Sequence, residues 1–306
     1  MWFHSYLTNR WQRVCECNQT TPWMNVSRGV PQGSALSPLL FNIYVRKIPE
    51  INSSQTIQFA DDITHSEAGE KTEEIVRKLG DSFVKTKDFC DSHGLQINAE
   101  KTQFILFHAP GKRIPIDTEI VIADSSLKPL KQVKLLGITL DVGLTFGQHI
   151  NSMVGNCKGL LSVLSKAAPM LPSELLRMAY ISLVRSRLEY CSAVWSSASA
   201  TNLKRLDSLQ KIAVRIIDHA HRSAHSQPLM EKWNIKPLHE RRVVHIAKIV
   251  EMAIENKYHP TIDRIFEADD QGNIIEETRT RINIGRRRFE VTAPLVYKEY
   301  LRKLSY

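Results

Sequence analysis

The stretch "TIQFADDITH", residues 56–65, places two adjacent carboxylates between two short apolar runs. β-Branched and aromatic residues on both sides favour strands, and the Asp61-Asp62 pair favours a tight turn between them. We therefore expect antiparallel strands at 56–60 and 62–66, with both aspartates at or beside the turn. Adjacent carboxylates repel each other, so the pair is either a solvated hairpin tip or a site for a hard cation such as Mg²⁺. The residues alone leave both possibilities open.

A glycine-rich segment precedes the predicted hairpin in "RGVPQGSALSPLLFNIYVRKIPE", residues 28–50. Gly29 and Gly33 bracket Pro31 and Gln32. Glycine lets the backbone approach a ligand closely, proline stiffens the turn, and glutamine offers an uncharged donor and acceptor. The segment thus predicts a ligand-facing loop, with a tight structural turn as the alternative.

A helix is expected directly after this loop. Ser37 and Pro38 are suited to begin and cap it. Its apolar side, which we expect to pack under a sheet, consists of Leu39, Leu40 and Ile43.

Helical and strand patterns alternate up to Asp141. A helix is predicted between Glu70 and His93, where Gly94 is placed to end it. The segments 103–107 and 133–141 have strand-like composition, and we expect them in or against the sheet that carries the hairpin. This alternation predicts an α+β class for the first part of the chain.

After Asp141 the apolar period becomes helical throughout. Helices are predicted from Phe146, from Pro172, from Thr201 as a capping residue, and over about 239–256. The second part of the chain is therefore expected to be all-helical.

The positive charge is concentrated in this helical part. Residues 151–250 contain 15 lysines and arginines against six acidic residues, whereas the segments on either side are balanced. The predicted helix from Thr201 carries four of these cations around its buried side: Lys204, Arg205, Lys211 and Arg215. A basic face of this kind suits a phosphate-binding surface, with a merely solvated surface as the alternative. The short run of arginines at 286–288 is at most a basic patch.

Composition excludes several classes of protein. The 306 residues contain no apolar run long enough to span a membrane, and the first residues lack the apolar core of a secretory signal. The five cysteines are scattered and lack the paired spacing of a zinc site. We expect an intracellular protein without a membrane partner, in the nucleus or the cytoplasm.

Four motifs in order resemble the palm of a reverse transcriptase, and more narrowly that of jockey-like non-LTR (LINE-type) retrotransposons. "RGVPQGSALSPLLFNIYVRKIPE" is similar to the second palm motif, and "FADD" to the metal-binding box of that family. "HGLQINAEKTQFILF" is similar to the motif after that box, and "VKLLGITLD" to the strand leading to the thumb. The similarity continues through residues 176–217 and weakly to "GRRRFEVTAPLVYKEYLRKL", so it covers nearly the whole chain.

The resemblance implies RNA-directed DNA polymerase activity by two-metal nucleotidyl transfer. Asp61 would be a ligand of catalytic Mg²⁺ with Asp62 beside it, and Lys101 would aid the leaving pyrophosphate as a proton donor. A surface lysine is the alternative for Lys101. The residues placed against the incoming nucleotide and the template would be Gly29, Pro31, Gln32, Gly33 and Phe59.

The resemblance also implies an architecture and a set of partners. We expect an incomplete right-hand polymerase palm at 1–143, a basic helical thumb at 144–230 and a C-terminal helical extension at 231–306. The partners would be an RNA template, a DNA primer and deoxynucleoside triphosphates, with Lys204, Arg205, Lys211 and Arg215 on the nucleic acid. Composition and motifs say nothing of an oligomeric state.

One departure from the family pattern affects the expected activity. The family has a further metal-binding Asp upstream of the "WFxSYL" helix, whereas no acidic residue precedes Glu16 here. The fingers are missing as well. We therefore expect an incomplete two-ion site and an inactive isolated chain. The alternative function is that of a catalytically dead retrotransposon remnant that at most binds nucleic acid.

Overall fold

The structure is a computed structural model of the chain. It describes nearly all residues up to 255 and a smaller part of the C-terminal segment. The described residues are 2–17, 19–109, 111–112, 114–115, 118–122, 125–255, 257–258, 260–263, 266 and 289–304. The arginine run at 286–288 lies outside them, as does much of the expected C-terminal extension.

The chain divides into two compact units. The first comprises Met1–Thr102 and Ile114–Lys128, and the second comprises Gln103–Arg113 and Pro129–Tyr306. Helices and strands are mixed, which confirms the expected α+β class at that level. The assignment of palm and thumb stays a prediction.

The first unit begins with a short helix and small antiparallel ribbons. Helix α1 (Trp2–Leu7) precedes strand β1 (Arg10–Gln12). Strands β2 (Cys15–Glu16) and β3 (Gln19–Thr20) pair with each other, and β1 pairs with β4 (Met24–Val26).

The helix after the glycine loop forms, but its expected cap and buried side are wrong. Helix α2 spans Ser37–Val45, and Leu36 occupies the N-cap without a side-chain hydrogen bond. Leu39 and Ile43 are exposed at 57% and 52%, so the predicted apolar side faces outward. Val45 is buried instead and packs with Ile48 of α3 (Ile48–Ile51).

The carboxylate hairpin forms as predicted. Strands β5 (Gln55–Phe59) and β6 (Asp62–Ser66) are antiparallel, with Phe59 paired to Asp62, so Ala60 and Asp61 make the turn. Ala60 adopts a left-handed φ of 52°. A two-residue hairpin loop needs a positive φ because its twist must match that of the strands.

Helix α4 (Thr72–Ser92) confirms the predicted helix and its end at Gly94, which has a φ of 67°. Leu95 N–H closes the cap by donating to Cys90 O at 2.8 Å. The fully buried positions of α4 are Ser82, Thr86 and Cys90, so the helix presents hydroxyl groups to its unit.

The strand expected at 103–107 is not formed. Phe104 makes one isolated parallel bridge with Pro129. Since Pro129 has no N–H to donate, the bridge does not extend into a ladder. The remaining strands of the first unit, β7 (Ile120–Ile122) and β8 (Ser125–Leu127), pair with each other.

The strand expected at 133–141 is a hairpin. Strands β9 (Gln132–Leu135) and β10 (Ile138–Asp141) pair around Leu136 and Gly137, which have φ values of 44° and 85°. Two consecutive left-handed residues form a tight turn and reverse the chain. Among the described residues, this pair and the carboxylate hairpin are separate two-stranded sheets, so the segment does not lie in the sheet of the carboxylate hairpin.

The second unit is mainly helical, as predicted. Its helices are α5 (Gly147–Ala167), α6 (Ser173–Ala179), α7 (Ser186–Glu189), α8 (Ser192–Trp195), α9 (Ala200–Ile217), α10 (Ser226–Lys232), α11 (Leu238–Ile254), α12 (Pro260–Asp263) and α13 (Phe289–Leu304). A π-helical segment, Tyr180–Arg185, joins α6 to α7. The N-cap of α9 is Ser199, which accepts a hydrogen bond from Asn202 N–H, and not the expected Thr201.

One large apolar core holds this unit together. The fully buried members include Ile150, Leu176, Trp195, Leu206 and Leu238, and Ile138 of β10 joins them. A second apolar cluster unites α11 with α13. No helix in the part of the chain that the structure describes is long and apolar enough to cross a membrane.

Candidate active site

The glycine loop at 28–36 is held by side chains from α1 and β1. Arg10 Nη2 donates to the carbonyl oxygens of Arg28 at 3.2 Å and Gly29 at 2.6 Å. The Tyr6 hydroxyl donates to Ser34 Oγ. Charge-assisted bonds to carbonyls are the stronger kind, so Arg10 fixes the shape of the loop where it turns.

Ser37 closes the loop from its other end. Its hydroxyl donates to Pro31 O at 2.5 Å and lies 3.4 Å from the Tyr6 hydroxyl. This contact explains why Ser37 does not cap α2, because its hydroxyl is used inside the loop.

The predicted ligand-facing residues lie at the surface of this loop. Gly29 and Gly33 have φ values of 77° and 82°, which other residues rarely adopt, and a Cβ at either position would meet nothing within 4 Å. Gln32 between them is exposed and Pro31 is half-buried. The glycines therefore serve the turn itself, and open space lies beside both of them.

Asp61 and Asp62 are both exposed at the tip of the hairpin. Among the described residues, neither carboxylate takes part in a hydrogen bond or an ion pair. Phe59, paired with Asp62 across the hairpin, exposes 63% of its surface on the same face. The tip thus presents two unneutralised carboxylates beside an aromatic ring.

A polar network under the hairpin was missed by the sequence reasoning. His65 Nδ1 lies 2.8 Å from Thr56 Oγ1, and its Nε2 lies 3.2 Å from Thr86 Oγ1 of α4. Asn52 Nδ2 donates to Thr86 Oγ1 at 3.0 Å, and Thr56 Oγ1 donates to Ser54 O at 3.1 Å.

One direction of donation satisfies the whole network. Because Thr56 gives its proton to a carbonyl, it accepts from His65 Nδ1–H, and Thr86 donates to the unprotonated Nε2. This arrangement requires a neutral imidazole. Burial lowers the pKa of His65, which favours the same neutral form. The network ties both strands of the carboxylate hairpin to α4.

Lys101 and Gln32 are both exposed. Lys101 ends a short 3₁₀ turn, Ala99–Lys101, and its backbone N–H donates to Asn98 Oδ1. Within the described residues, no hydrogen bond or ion pair joins Asp61, Asp62, Gln32 and Lys101 to one another. Strand pairing brings Phe59 together with the two aspartates, and the roles of Gln32 and Lys101 stay predictions.

The carboxylates of the hairpin tip could supply some, but not all, of the ligands of a hard divalent cation. Exposed carboxylate oxygens without protein partners are the donors that Mg²⁺ takes, together with water and substrate phosphates. No group of three or more His, Cys, Asp or Glu side chains that could hold a metal occurs within the described residues. Asp61 and Asp62 would therefore share an ion with ligands from elsewhere.

The four predicted nucleic-acid contacts on α9 differ in their availability. Arg205 Nη1 donates to Asn151 Oδ1 of α5 at 2.5 Å, and Arg215 Nε donates to Ala224 O at 2.8 Å. Lys204 and Lys211 are exposed, and the described residues give their ammonium groups no partner. Two of the four cations thus help hold the helices, while two are free to meet a ligand.

Sequence signals existed for part of what was missed. Tyr6 and Arg10 lie in the first helix and the first strand. Side chains that bond to a loop do not recur at a regular spacing, so the sequence pattern does not reveal them. Thr86 and Ser82 lie at helical spacing on α4 and are fully buried. They were missed because only apolar residues were considered for the buried face of the helix.

Comparison with known proteins agrees with the motifs. Residues 1–140 match the family described as "Reverse transcriptase (RNA-dependent DNA polymerase)". The chain is 28% identical over 259 residues to "Probable RNA-directed DNA polymerase from transposon BS" of Drosophila melanogaster, covering 80% of this chain and 28% of that protein.

Two further relatives come from mobile elements. The "Probable RNA-directed DNA polymerase from transposon X-element" of Drosophila melanogaster is 24% identical, over 70% of this chain and 24% of its own length. The "RNA-directed DNA polymerase from mobile element jockey" of Drosophila funebris is 26% identical, over 64% of this chain and 22% of its own length. The chain thus spans about a quarter of these relatives, and no solved structure matches it significantly.

Proposed function

We propose, from the match of residues 1–140 to the reverse transcriptase family, that the chain is part of an RNA-directed DNA polymerase of a non-LTR retrotransposon. The observation that carries the proposal is the hairpin tip, with Asp61 and Asp62 adjacent, exposed and unpaired in the sequence "FADD". Structural aspartates in a turn usually bond to nearby backbone amides or cations. These two do neither, so they remain available to a metal ion.

We assign Asp61 and Asp62 as ligands of Mg²⁺ in nucleotidyl transfer. A bound pair of such ions would stabilise the charge on the attacking and leaving oxygens of the transferred phosphate. In this assignment the chain's own task is to hold the two carboxylates in place. The His65 network does this from below, because it fixes both strands of the hairpin on α4.

The loop at 28–36 and the exposed ring of Phe59 would face the template and the incoming nucleotide. Open space beside Gly29 and Gly33 permits a close approach of a base or a sugar. Gln32 could offer a donor and an acceptor to either, and Lys101 would lie near the leaving pyrophosphate. The proposed partners are an RNA template, a DNA primer and deoxynucleoside triphosphates.

A second candidate function is nucleic-acid binding without catalysis. The exposed Lys204 and Lys211, one on each side of Ser208 along α9, favour it. This function needs neither a metal ion nor further carboxylates.

A metal-binding measurement separates the two candidates. We would titrate Mn²⁺ into the chain with an RNA–DNA primer–template and follow free Mn²⁺ by electron paramagnetic resonance. The polymerase assignment predicts a bound ion that is lost in Asp61→Asn/Asp62→Asn, while the exposed control Asp88→Asn on α4 retains it. Equal Mn²⁺ binding by the parent and the double variant would refute the assignment and leave the binding function.

A further inference from the structure

The second unit contains a group of arginines that the proposed polymerase site does not use. Arg185 at the end of the π segment and Arg241 of α11 flank Glu189 of α7, and Arg177 of α6 lies close enough to Arg185 to lower its pKa. We call these four residues the arginine cluster. All four are partly buried, so their charges are not fully dissipated by solvent.

Only one of the three guanidiniums is well paired. Arg241 binds Glu189 in a bidentate way through Nε and Nη2, the second contact being 3.0 Å. Arg185 Nε lies 4.0 Å from Glu189 Oε2, which is beyond hydrogen-bond distance. One carboxylate, that of Glu189, is therefore shared by Arg241 and Arg185.

The donors of the other two arginines are available. The side chain of Arg185 is only 18% exposed, yet no nitrogen of its guanidinium has a hydrogen-bond partner among the described residues. Arg177 uses Nε to bond to Trp233 O at 3.0 Å, and its two Nη atoms have no partner in the described part of the chain. These unpaired nitrogens keep access to solvent, so an anion that arrives from solvent can reach them and supply charge-assisted acceptors.

The surroundings increase the positive excess. Burial lowers the pKa of Arg185, and the nearby cations Arg241 and Arg177 lower it further. Arg242 lies near the carboxylate of Glu189, and its side chain is 7% exposed. Its Nη1 is buried without a hydrogen-bond partner among the described residues, and its Nη2 lies 3.5 Å from Asp207 Oδ1. With Arg177 beside Arg185, this region holds four guanidiniums and two carboxylates, an excess of two positive charges.

The π segment helps to build this arrangement. A π turn contains an extra residue, so it rotates Arg185 about the helix axis relative to an uninterrupted α-helix. It also buries Tyr180 completely within reach of Arg185 and Arg241, and burial raises the pKa of Tyr180 to about 12. The Tyr180 hydroxyl accepts from Gln210 Nε2 at 3.2 Å, and because burial keeps it protonated, its own proton is left to donate.

We propose that the arginine cluster is a phosphate-binding site, in which Arg177 and Arg185 clamp a phosphate group beside the Arg241–Glu189 pair. Planar guanidiniums match the oxygens of phosphate in two-point hydrogen bonding, which explains the use of arginine at all three positions. The phosphate could belong to a nucleic-acid backbone or to free phosphate or pyrophosphate. The proposal does not depend on the polymerase assignment, since it needs neither Asp61 nor a metal ion.

The test compares Arg185→Gln with the matched control Arg187→Gln. Arg187 lies on the same helical segment, is exposed, and bonds to Leu183 O at 2.9 Å. Thermal unfolding of the 306-residue chain is measured in chloride and in inorganic phosphate or pyrophosphate at equal ionic strength. We expect phosphate to stabilise the parent and Arg187→Gln, and Arg185→Gln to bind phosphate about tenfold or more weakly, as expected when a charge-assisted bond is removed.

The chloride measurement distinguishes a ligand site from a structural ion pair. If Arg185 serves to bind an anion, Arg185→Gln unfolds in chloride at the same temperature as the parent or at a higher one, because the substitution removes the repulsion between Arg185 and the neighbouring arginines. A lower unfolding temperature together with an unchanged phosphate response would overturn the proposal, as would equal losses in both variants. Should Arg185→Gln not fold, Arg185→Lys keeps the charge but not the fork, and unchanged phosphate affinity in that variant would equally refute the site.

A short oligothymidylate identifies the source of the phosphate. If its affinity falls by the same factor in Arg185→Gln, the site takes backbone phosphate. If only the response to free phosphate or pyrophosphate falls, the site takes the free anion. Both results support a phosphate site, and no change with either probe rejects it.

Discussion

At the scale of single residues, Ala60 is the strained position of the carboxylate hairpin. Its φ of 52° lies in the left-handed region, which costs a residue with a Cβ roughly 1 kcal/mol. Glycine removes that cost but loses a similar amount in chain entropy, so we expect Ala60→Gly to change the free energy of unfolding by less than about 0.5 kcal/mol.

A β-branched residue at this position should behave differently. Valine resists a positive φ more strongly, so Ala60→Val should destabilise the chain by roughly 1–2 kcal/mol. Because Ala60 is exposed, side-chain crowding does not contribute to the difference. Urea unfolding of the parent and both variants measures it, and equal stabilities of the glycine and valine variants would contradict a strained turn.

His65 predicts a loss of stability in mild acid. Burial holds its pKa below the ordinary value near 6.5, so below about pH 6.5 the unfolded chain binds the proton more readily than the folded chain. The stability is therefore complete above that pH and declines as the pH falls towards the folded pKa. Protonation also disrupts the network, since Nε2 would face Thr86 as a second donor.

Thermal unfolding between about pH 7.5 and 5 tests this prediction. Buried His149 has a pKa lowered mainly by burial and further by Lys134, so it contributes in the same direction. We expect His65→Gln to reduce the pH dependence of the unfolding temperature, and His149→Gln to remove a separate part of it. A His65→Gln variant with the parent's full pH dependence would show that the imidazole is not the titrating group.

At the scale of residues, the sequence could predict the features that depend on the preferences of adjacent residues. The Asp61-Asp62 turn was predictable because strand and turn preferences act over adjacent residues. The hydroxyl of Ser37 was assigned to a cap that the structure gives to another use. The acceptor of this hydroxyl, Pro31 O, lies only six residues earlier in the chain. Residue preferences alone, however, do not show that the loop folds back against the first residue of its helix.

At the scale of elements, α9 is the predicted nucleic-acid contact, and its four cations divide into two pairs. Lys204 and Lys211 are exposed at a spacing of seven residues, so they lie on one side of the helix. Arg205 and Arg215 bond to α5 and to Ala224 O. Removing the lysine pair should therefore weaken nucleic-acid binding without destabilising the helix.

The dependence of binding on salt measures the role of this helix. For a duplex, the slope of log affinity against log salt becomes shallower by about 0.9 for every phosphate that the protein no longer neutralises. We expect Lys204→Ala/Lys211→Ala to reduce the slope by roughly one to two. The control is Lys85→Ala/Lys87→Ala on α4 of the first unit, where the slope should not change. If both pairs give the parent's slope, α9 does not bind the backbone.

Element types were easier to predict than their pairing. The long helices α4, α5, α9 and α11 follow from apolar periodicity over many residues, and each begins close to its expected position. The segment at 133–141 was expected as one strand, because Leu136 gives no sign of the left-handed φ that makes it a turn. Likewise the π segment at Tyr180–Arg185 lies inside an uninterrupted helical pattern.

At the scale of the molecule, the two units differ in how much apolar surface they bury. The core cluster of the first unit contains Val45, Ile48 and Cys90, whereas the main core of the second extends from Ile138 to Leu238. Large side chains of the first unit are exposed, among them Trp2, Trp11 and Trp23. Since burial of apolar surface is the main favourable term in folding, the first unit should be less stable by itself.

Two-step unfolding is the expected consequence. We expect tryptophan fluorescence to begin changing, through Trp2, Trp11 and Trp23, at a lower urea concentration than the helical circular dichroism, which comes mainly from the second unit. The rest of the fluorescence change, from Trp195 and Trp233 of the second unit, should follow the circular dichroism. Limited proteolysis should cleave the first unit before the second, because a locally unfolded segment is cut first. A single coincident transition for both signals, with no preferred cleavage, would show that the units unfold together.

The last prediction concerns catalysis by the 306 residues expressed alone. Two-metal transfer needs ligands on both sides of the reacting phosphate. Asp61 and Asp62 provide one adjacent pair, and the described residues contain no group of three side chains that could hold a metal. The first relative matched is a polymerase of which this chain spans only 28%, so the missing ligands have room elsewhere in such a protein.

We therefore expect primer extension by these residues alone to be at background level. A deficit of about 4 kcal/mol in transition-state stabilisation already reduces a rate roughly a thousandfold. The assay uses an RNA template, a DNA primer, and Mg²⁺ or Mn²⁺, and it compares the parent with Asp61→Asn/Asp62→Asn, which should incorporate equally little. Incorporation by the parent that disappears in the double variant would contradict the prediction, and it would mean that a carboxylate from another part of this chain, or from a second copy, completes the site.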